Sequence, residues 1–213
     1  MPPASSHRAS NLDDAIARLA RPGVSIGYRI ITPGDENTLL PAEAEAFSSS
    51  VIKVRRQSAA ARLVARALLA ERGLPGAVLR RGPSRAPIWP AGIVGSLAHD
   101  SQVAIAAIAS DRMLAGIGID VEPAEPLPTG LAEMVATPSE RRRYGRALSE
   151  TRLLFAIKEA VYKACHPLDG VFLDFQDVDV DLPRLQAETR QGRRVEIAFV
   201  EWPRVVAVAY LPP

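Results

Sequence analysis

The stretch Phe155 to Cys165, FAIKEAVYKAC, constrains the fold of this chain more than any other. Leu153, Leu154, Ile157, Ala160, Val161 and Ala164 recur at the three-and-four spacing of a buried helix face. Ser149 is placed to cap that helix, with Glu150 in its first turn. A helix this apolar has to lie under other elements, yet it carries Lys158, Glu159 and Lys163. On the helical register Glu159 and Lys163 stand one turn apart and point the same way. As a surface ion pair they would stabilise the helix by only about 0.2–0.5 kcal/mol. The choice of residue argues for more than that. Of 26 lysines and arginines, the only lysines are Lys53, Lys158 and Lys163, and two of the three fall in this window. Lysine where arginine is otherwise the rule suits a compact, movable point charge of the kind phosphate chemistry uses.

At 213 residues and 47 % hydrophobic content the chain can bury a full core, as one large domain or two small subdomains. No window approaches the run of about 18 uncharged apolar residues that a membrane span requires. The start, MPPASSHRAS, lacks the apolar segment of a signal peptide. A soluble, cytoplasmic protein is therefore expected. The single cysteine, Cys165, excludes an internal disulfide and a cysteine-based zinc site, and its place at the end of an apolar helix face reads as packing. A net charge of +2 favours anionic partners, while 5 % aromatic residues leave few rings to stack on nucleic-acid bases.

In chain order, residues 1–10 read as a mobile tail. Asn11 can cap a short helix LDDAIARLA, and Val24 to Ile31 reads as a strand. Pro41 to Phe47 is a short helical segment. A long amphipathic helix spans Val51 to Arg72, closed by Gly73 and Pro75. Its basic face, with Lys53, Arg55, Arg56, Arg62 and Arg66, is either a solvated surface or a set of anchors for a phosphorylated ligand. Residues 80–92 hold Pro83, Pro87 and Pro90 and form a loop. With Arg80, Arg81, Arg85 and Trp89 it either grips an anionic ligand or is a rigid connector.

Gly95-Ser96 reads as a turn, with His99 in a loop ahead of a strand from Val103 to Ala109. In Gly116-Ile-Gly-Ile-Asp-Val-Glu122, alternation sends Ile117, Ile119 and Val121 to one face and Gly118, Asp120 and Glu122 to the other. Paired carboxylates at a strand end, with glycine leaving room, suit a hard cation such as Mg2+ or are simply two solvated acids. After a loop with Pro123, Pro126 and Pro128, Thr137 to Glu140 is a capping box opening a helix from Pro138 to Leu148. Val171 to Val180, Arg194 to Val200 and Val205 to Leu211 read as strands.

Taken in order, GSLAH, GIGIDVE and FAIKEAVYKA resemble the signature set of the 4′-phosphopantetheinyl transferases, in their larger monomeric form. RAPIWP and the arginine-bearing helix before it look like the enterobactin-synthase branch. The likeness covers about Lys53 to Asp169. It implies an α+β fold of two pseudo-symmetric subdomains, here about 11–110 and 111–213, with the coenzyme A site at their junction. It also implies transfer of the phosphopantetheine arm of coenzyme A to a serine of an acyl, aryl or peptidyl carrier protein. By the resemblance Asp120, Glu122 and Glu159 hold Mg2+, Lys163 meets the transferred phosphate, and Glu159 is the usual candidate base, with a metal-bound water as the alternative because a carboxylate on Mg2+ is a poorer base. Lys158, His99, Arg55, Arg62 and Arg85 would contact coenzyme A. Ala98 departs from the family's usual serine before the histidine, so a hydroxyl contact to phosphate is absent and affinity for coenzyme A is expected to be somewhat reduced, unless Ser96 or Ser101 substitutes. Two other classes share parts of this pattern: a Mg2+-dependent nuclease or phosphodiesterase built on paired acids and a lysine, and a basic nucleic-acid-binding module without catalysis.

Overall fold

The computed structural model describes residues 12–213 apart from 129, 150 and 151. The tail expected over residues 1–10, the Asn11 cap, the Ser149 side chain and Glu150 lie outside the described residues. The first half contains α1 (Leu12–Arg18), β1 (Val24–Ile30), α2 (Pro41–Ala44), α3 (Ile52–Glu71), β2 (Ile93–His99) and β3 (Val103–Ser110). The second contains β4 (Gly116–Pro123), α4 (Leu131–Val135), α5 (Pro138–Ser149), α6 (Arg152–Asp169), β5 (Val178–Asp181), β6 (Gln186–Thr189), β7 (Arg194–Val200) and β8 (Arg204–Leu211). The strands form two antiparallel sheets, ordered β1-β3-β2 and β4-β8-β7-β6-β5. Each sheet carries one long helix, α3 on the first and α6 on the second. This is the expected α+β class.

The central strand of the smaller sheet, VAIAAIAS, is buried on both faces, as an unbroken apolar run requires. Ala106 and Ile108 pack under Val64, Leu68 and Leu69 of α3. Val103, Ile105 and Ala107 turn the other way and meet Ile117, Ile119 and Val121 of β4 and Val206 and Val208 of β8. The two sheets therefore share a core. A hydrogen bond from the Ile119 backbone N–H to Ser96 Oγ, 3.0 Å, ties β4 to β2 within it. The Tyr210 hydroxyl donates to the Leu19 carbonyl at 2.8 Å and fastens the segment after α1 to the same core.

The glycines of GIGID have a different use from the one expected. A Cβ on Gly118 would overlap the Ala160 carbonyl oxygen, and one on Gly116 the Ala164 carbonyl oxygen. Side chains are absent there so that the backbone of α6 can rest directly on β4. Gly118→Ala is expected to destabilise the protein by about 3 kcal/mol, the upper end of overpacking costs, because the obstacle is helix backbone that cannot rotate away. Urea unfolding measures it, and a loss of under about 1 kcal/mol would mean that α6 does not need this contact.

Several local expectations are corrected. Gly95 and Ser96 are not a turn but the middle of β2, where the Trp89 ring covers Gly95 in place of a side chain. Strand Val171–Val180 shrinks to β5, preceded by a 3-10 turn at Phe175–Asp177. β6 and α4 were not foreseen, since neither carries a long periodic pattern. α5 is interrupted at Gly145, whose φ of 71° and ψ of −179° leave the helical region. α3 ends as foreseen, with Gly73 at φ 79° and the Leu74 N–H bonded back to Leu69 at 2.9 Å. No helix among the described residues is long and apolar enough to cross a membrane.

Candidate active site

On β4 the residues facing α6 are Gly116, Gly118, Asp120 and Glu122. Because α6 lies so close, the next two positions of the strand meet the polar side chains of the helix. Lys163 Nζ donates to Asp120 Oδ1 at 2.6 Å and to the Ile119 carbonyl at 3.3 Å. The lysine is therefore the partner of a strand carboxylate on another element, and not simply half of a surface i,i+4 pair. Glu159, one turn earlier, is half-buried beside the same two groups. Burial raises its pKa, Lys163 opposes this and Asp120 adds to it. Asp120 is 6 % exposed. Its burial raises the pKa against the pull of Lys163. Asp120 Oδ2 is buried and receives no hydrogen bond among the described residues.

Glu122 accepts a hydrogen bond from Arg152 Nη1 at 2.8 Å. Its pKa is raised by burial first and by Asp120 second. His99 stands at the end of β2, on the other side of the junction between the sheets. Protein packed around the imidazole lowers its pKa and the Lys163 ammonium lowers it further, so the ring is neutral at pH 7. A proton titration followed by NMR should place His99 below the ordinary 6.5. Lys163→Met should move the midpoint back up. An unmoved midpoint would separate His99 from the cluster.

The turn after His99 is held from three directions. Asp100 Oδ1 accepts from the backbone N–H groups of Gln102 and Val103 at 2.6 and 2.7 Å. Gln57 Nε2 of α3 donates to the Asp100 carbonyl at 2.8 Å. Arg204 at the start of β8 pairs with the Asp100 carboxylate at 3.3 Å, a bridge between the two sheets. Asp100, Arg152 and Arg204 were missed in the sequence because each lies outside the three motifs or at their margins, and only tertiary contact brings them to the cluster. Asp120, Glu122, Glu159, Lys163 and His99 are the predicted residues that converge.

The remaining expected contacts do not join them. Lys158 is 1 % exposed and points the opposite way. Its ammonium donates to Glu140 Oε2 at 2.7 Å and to the carbonyls of Val135 and Phe175 at 2.8 Å each. Lysines five positions apart lie on different sides of a helix, so two cations in one motif serve two sites. Arg62 is 4 % exposed. Its Nε donates to the Leu79 carbonyl at 2.9 Å, and its guanidinium lies 4.9 Å from the centre of the Phe47 ring. It is an interior strut. Arg56 and Arg66 are paired with Glu36 and Glu43, both at 2.7 Å, so much of the basic face of α3 is already neutralised. Arg55 remains half-buried on α3 with an Nε that has no acceptor among the described residues, and Arg85 is exposed on the loop before β2. Ser96 is 4 % exposed and accepts from Ile119, which removes it as a substitute for the missing hydroxyl at Ala98. Cys165 is 2 % exposed and burial raises its thiol pKa, in keeping with packing.

Residues 42–109 match the family model of the 4′-phosphopantetheinyl transferase N-terminal domain, and residues 116–208 match that of the 4′-phosphopantetheinyl transferase superfamily. The chain belongs to the 4′-phosphopantetheinyl transferase superfamily. It is 43 % identical over 143 residues to the 4′-phosphopantetheinyl transferase Npt of Nocardia iowensis, covering 66 % of this chain and 64 % of that protein. With the 4′-phosphopantetheinyl transferase Svp of Streptomyces mobaraensis it shares 41 % identity over 155 residues, 70 % of this chain and 63 % of the other. Enterobactin synthase component D of Escherichia coli K12 is more distant, 35 % identical over 102 residues, 45 % of this chain and 48 % of that one. The chain thus spans less than two thirds of the length of these relatives. The two superfamily matches meet between β3 and β4.

Proposed function

We propose that this superfamily member transfers the 4′-phosphopantetheine arm of coenzyme A to a serine hydroxyl of a carrier protein, releasing adenosine 3′,5′-bisphosphate. The observation that carries the reading is the meeting of Asp120, Glu122, Glu159 and Lys163 from one strand and one helix at the junction of the two sheets. The reaction is phosphoryl transfer, in which a protein acts mainly by positioning and by neutralising charge. Lys163 is the cation for the transferred phosphate, and neutral His99 on the facing sheet can donate one hydrogen bond to a phosphate oxygen without adding charge. Arg55 and Arg85 remain as candidates for the outer phosphates.

The cluster fits Mg2+ as the metal. Asp120 Oδ2 is a buried anionic oxygen with no donor among the described residues, and a cation is the partner its chemistry calls for. Asp120, Glu122 and Glu159 would hold the ion, although among the described residues no three such side chains form a ready cage as they stand. Bound there, the ion supplies positive charge for the pyrophosphate. Glu159 is the candidate base for the serine proton: burial raises its pKa in the metal-free protein, whereas a divalent ion on the same carboxylate would lower it and weaken it as a proton acceptor.

Mass spectrometry of an apo carrier protein incubated with this protein, Mg2+ and coenzyme A tests the reading. A phosphopantetheine mass increase that requires both additions is the expected result. No mass increase across a panel of acyl, aryl and peptidyl carriers, with Mg2+-dependent cleavage of nucleic acid instead, would overturn it.

A further inference from the structure

Lys163 is not the only cation bound into the cluster. Arg152, the first residue of α6, donates from Nη1 to Glu122 Oε2 at 2.8 Å, with both side chains 19 % exposed. The contact is end-on. Arginine and carboxylate usually meet with two parallel bonds, but here Arg152 Nε is buried and donates to nothing among the described residues. A guanidinium carries five donors in a planar fork. One that leaves a buried donor idle beside a partner it already touches has unused capacity for a second acceptor.

Charge gives that capacity a direction. Asp120, Glu122 and Glu159 bring three negative charges, and Lys163 and Arg152 bring two positive ones. Arg152 sits on Glu122, a carboxylate that a divalent ion would need, whereas Lys163 sits on Asp120 Oδ1 and leaves Oδ2 without a donor among the described residues. An ion held by Glu122 would release the guanidinium, which then lies at the same junction, ready for an anion.

We propose that Arg152 is an anion-binding residue of the substrate site, held on Glu122 until a divalent cation takes that carboxylate and then directed at a phosphate oxygen of the substrate. This rests on the reading of the cluster as a Mg2+ and coenzyme A site. A permanent role as the group that orients Glu122 is the competing idea, and it has the opposite sign. An orienting partner strengthens metal binding. A competitor weakens it.

Binding measurements on the full chain separate the two. Mn2+ serves as the metal probe, read as free ion by EPR, and coenzyme A is titrated by calorimetry with and without metal. Arg152→Gln should bind Mn2+ in the absence of coenzyme A at least about threefold more tightly, since one positive charge a few ångströms from the ion is gone. The same variant should bind coenzyme A in the presence of metal roughly tenfold more weakly, the loss of a charge-assisted bond to phosphate. Arg152→Lys should fall between wild type and Arg152→Gln in both. Glu122→Gln supplies an independent arm: it frees Arg152 without metal, so metal-free coenzyme A affinity should rise by about threefold, and the rise should vanish in the Glu122→Gln, Arg152→Gln double variant. Weaker Mn2+ binding by Arg152→Gln, or coenzyme A affinity that does not change, would overturn the role. Wild-type protein that binds no coenzyme A with metal present would overturn the functional reading itself, and this role with it.

Discussion

Asp120→Asn is expected to lower the rate of carrier modification by about 10³-fold or more while leaving the fold intact. The carboxylate has a buried oxygen, Oδ2, that no donor among the described residues satisfies, so its negative charge is available to something outside the protein. Several kilocalories of charge stabilisation depend on such a group in a metal-assisted transfer, and each 1.36 kcal/mol or so is a factor of ten in rate. Asparagine keeps the shape and one acceptor for Lys163 but removes the charge. Stability should move the other way. Burial raises the Asp120 pKa above its ordinary 3.8 in spite of Lys163. Between 3.8 and that raised value the folded state holds more protons than the unfolded one, so the carboxylate subtracts stability as pH rises through the window. At pH 7 the neutral variant should therefore melt at the same temperature as wild type or higher, with Lys163, 27 % exposed, able to turn to solvent. Steady-state transfer rates and a thermal melt measure the two effects. Activity retained at saturating Mg2+ would remove Asp120 from the site, and a melting temperature that falls together with activity would make it a packing residue.

Glu140→Ala is expected to destabilise the protein by about 3–5 kcal/mol, the cost of stripping one partner from a buried ion pair. The carboxylate is fully buried and its two oxygens serve three donors: Lys158 Nζ at 2.7 Å, the Thr137 N–H at 2.7 Å and the Val180 N–H at 2.8 Å. It joins α5, α6 and β5 at one point. Removing it leaves an ammonium buried with two carbonyls and orphans two backbone donors. The Lys158 pKa is already below its ordinary 10.5 because burial outweighs the opposing pull of Glu140. Without Glu140 it should fall further. The unfolded chain then binds more protons than the folded one between the lowered value and 10.5, so the stability of the variant should recover as pH rises through that window. Urea unfolding at pH 7 and pH 9 tests both parts. Glu140→Ala together with Lys158→Met should restore much of the loss, since an apolar pair of similar volume carries no desolvation penalty. If the single variant loses less than about 1 kcal/mol, Lys158 is not confined as described and becomes available to a ligand again.

These two residues show what could and could not be read beforehand. The capping box Thr137 to Glu140 was legible because it is a local motif, with both of its bonds formed at 2.7 and 3.1 Å. That the same glutamate would also neutralise Lys158, 18 residues away, was not. The D-x-E of β4 and the Glu159/Lys163 spacing of α6 were legible as faces, because strand and helix periods fix which side chains share a side. Which lysine served which site was not. Helix phase alone leaves Lys158 and Lys163 on different sides without saying which side meets β4. The glycines of GIGID were noticed and misread. Their absent side chains make room for the backbone of α6, and that contact sets the height of Lys163 above Asp120.

By itself the sequence determined most helices and strands and the residues of three motifs, and the family resemblance those motifs carry implied the α+β class. The elements and motifs depend on local periodicity, capping and spacing, which a few neighbouring residues decide together. Only the tertiary structure decided which charges meet: Arg152 with Glu122, Arg204 with Asp100, Lys158 with Glu140, and Arg62 turned inward as a strut. Such pairings join residues from 17 to more than a hundred positions apart. No local pattern encodes them, because a long charged side chain takes its partner from whatever the packing of the apolar faces brings within its reach.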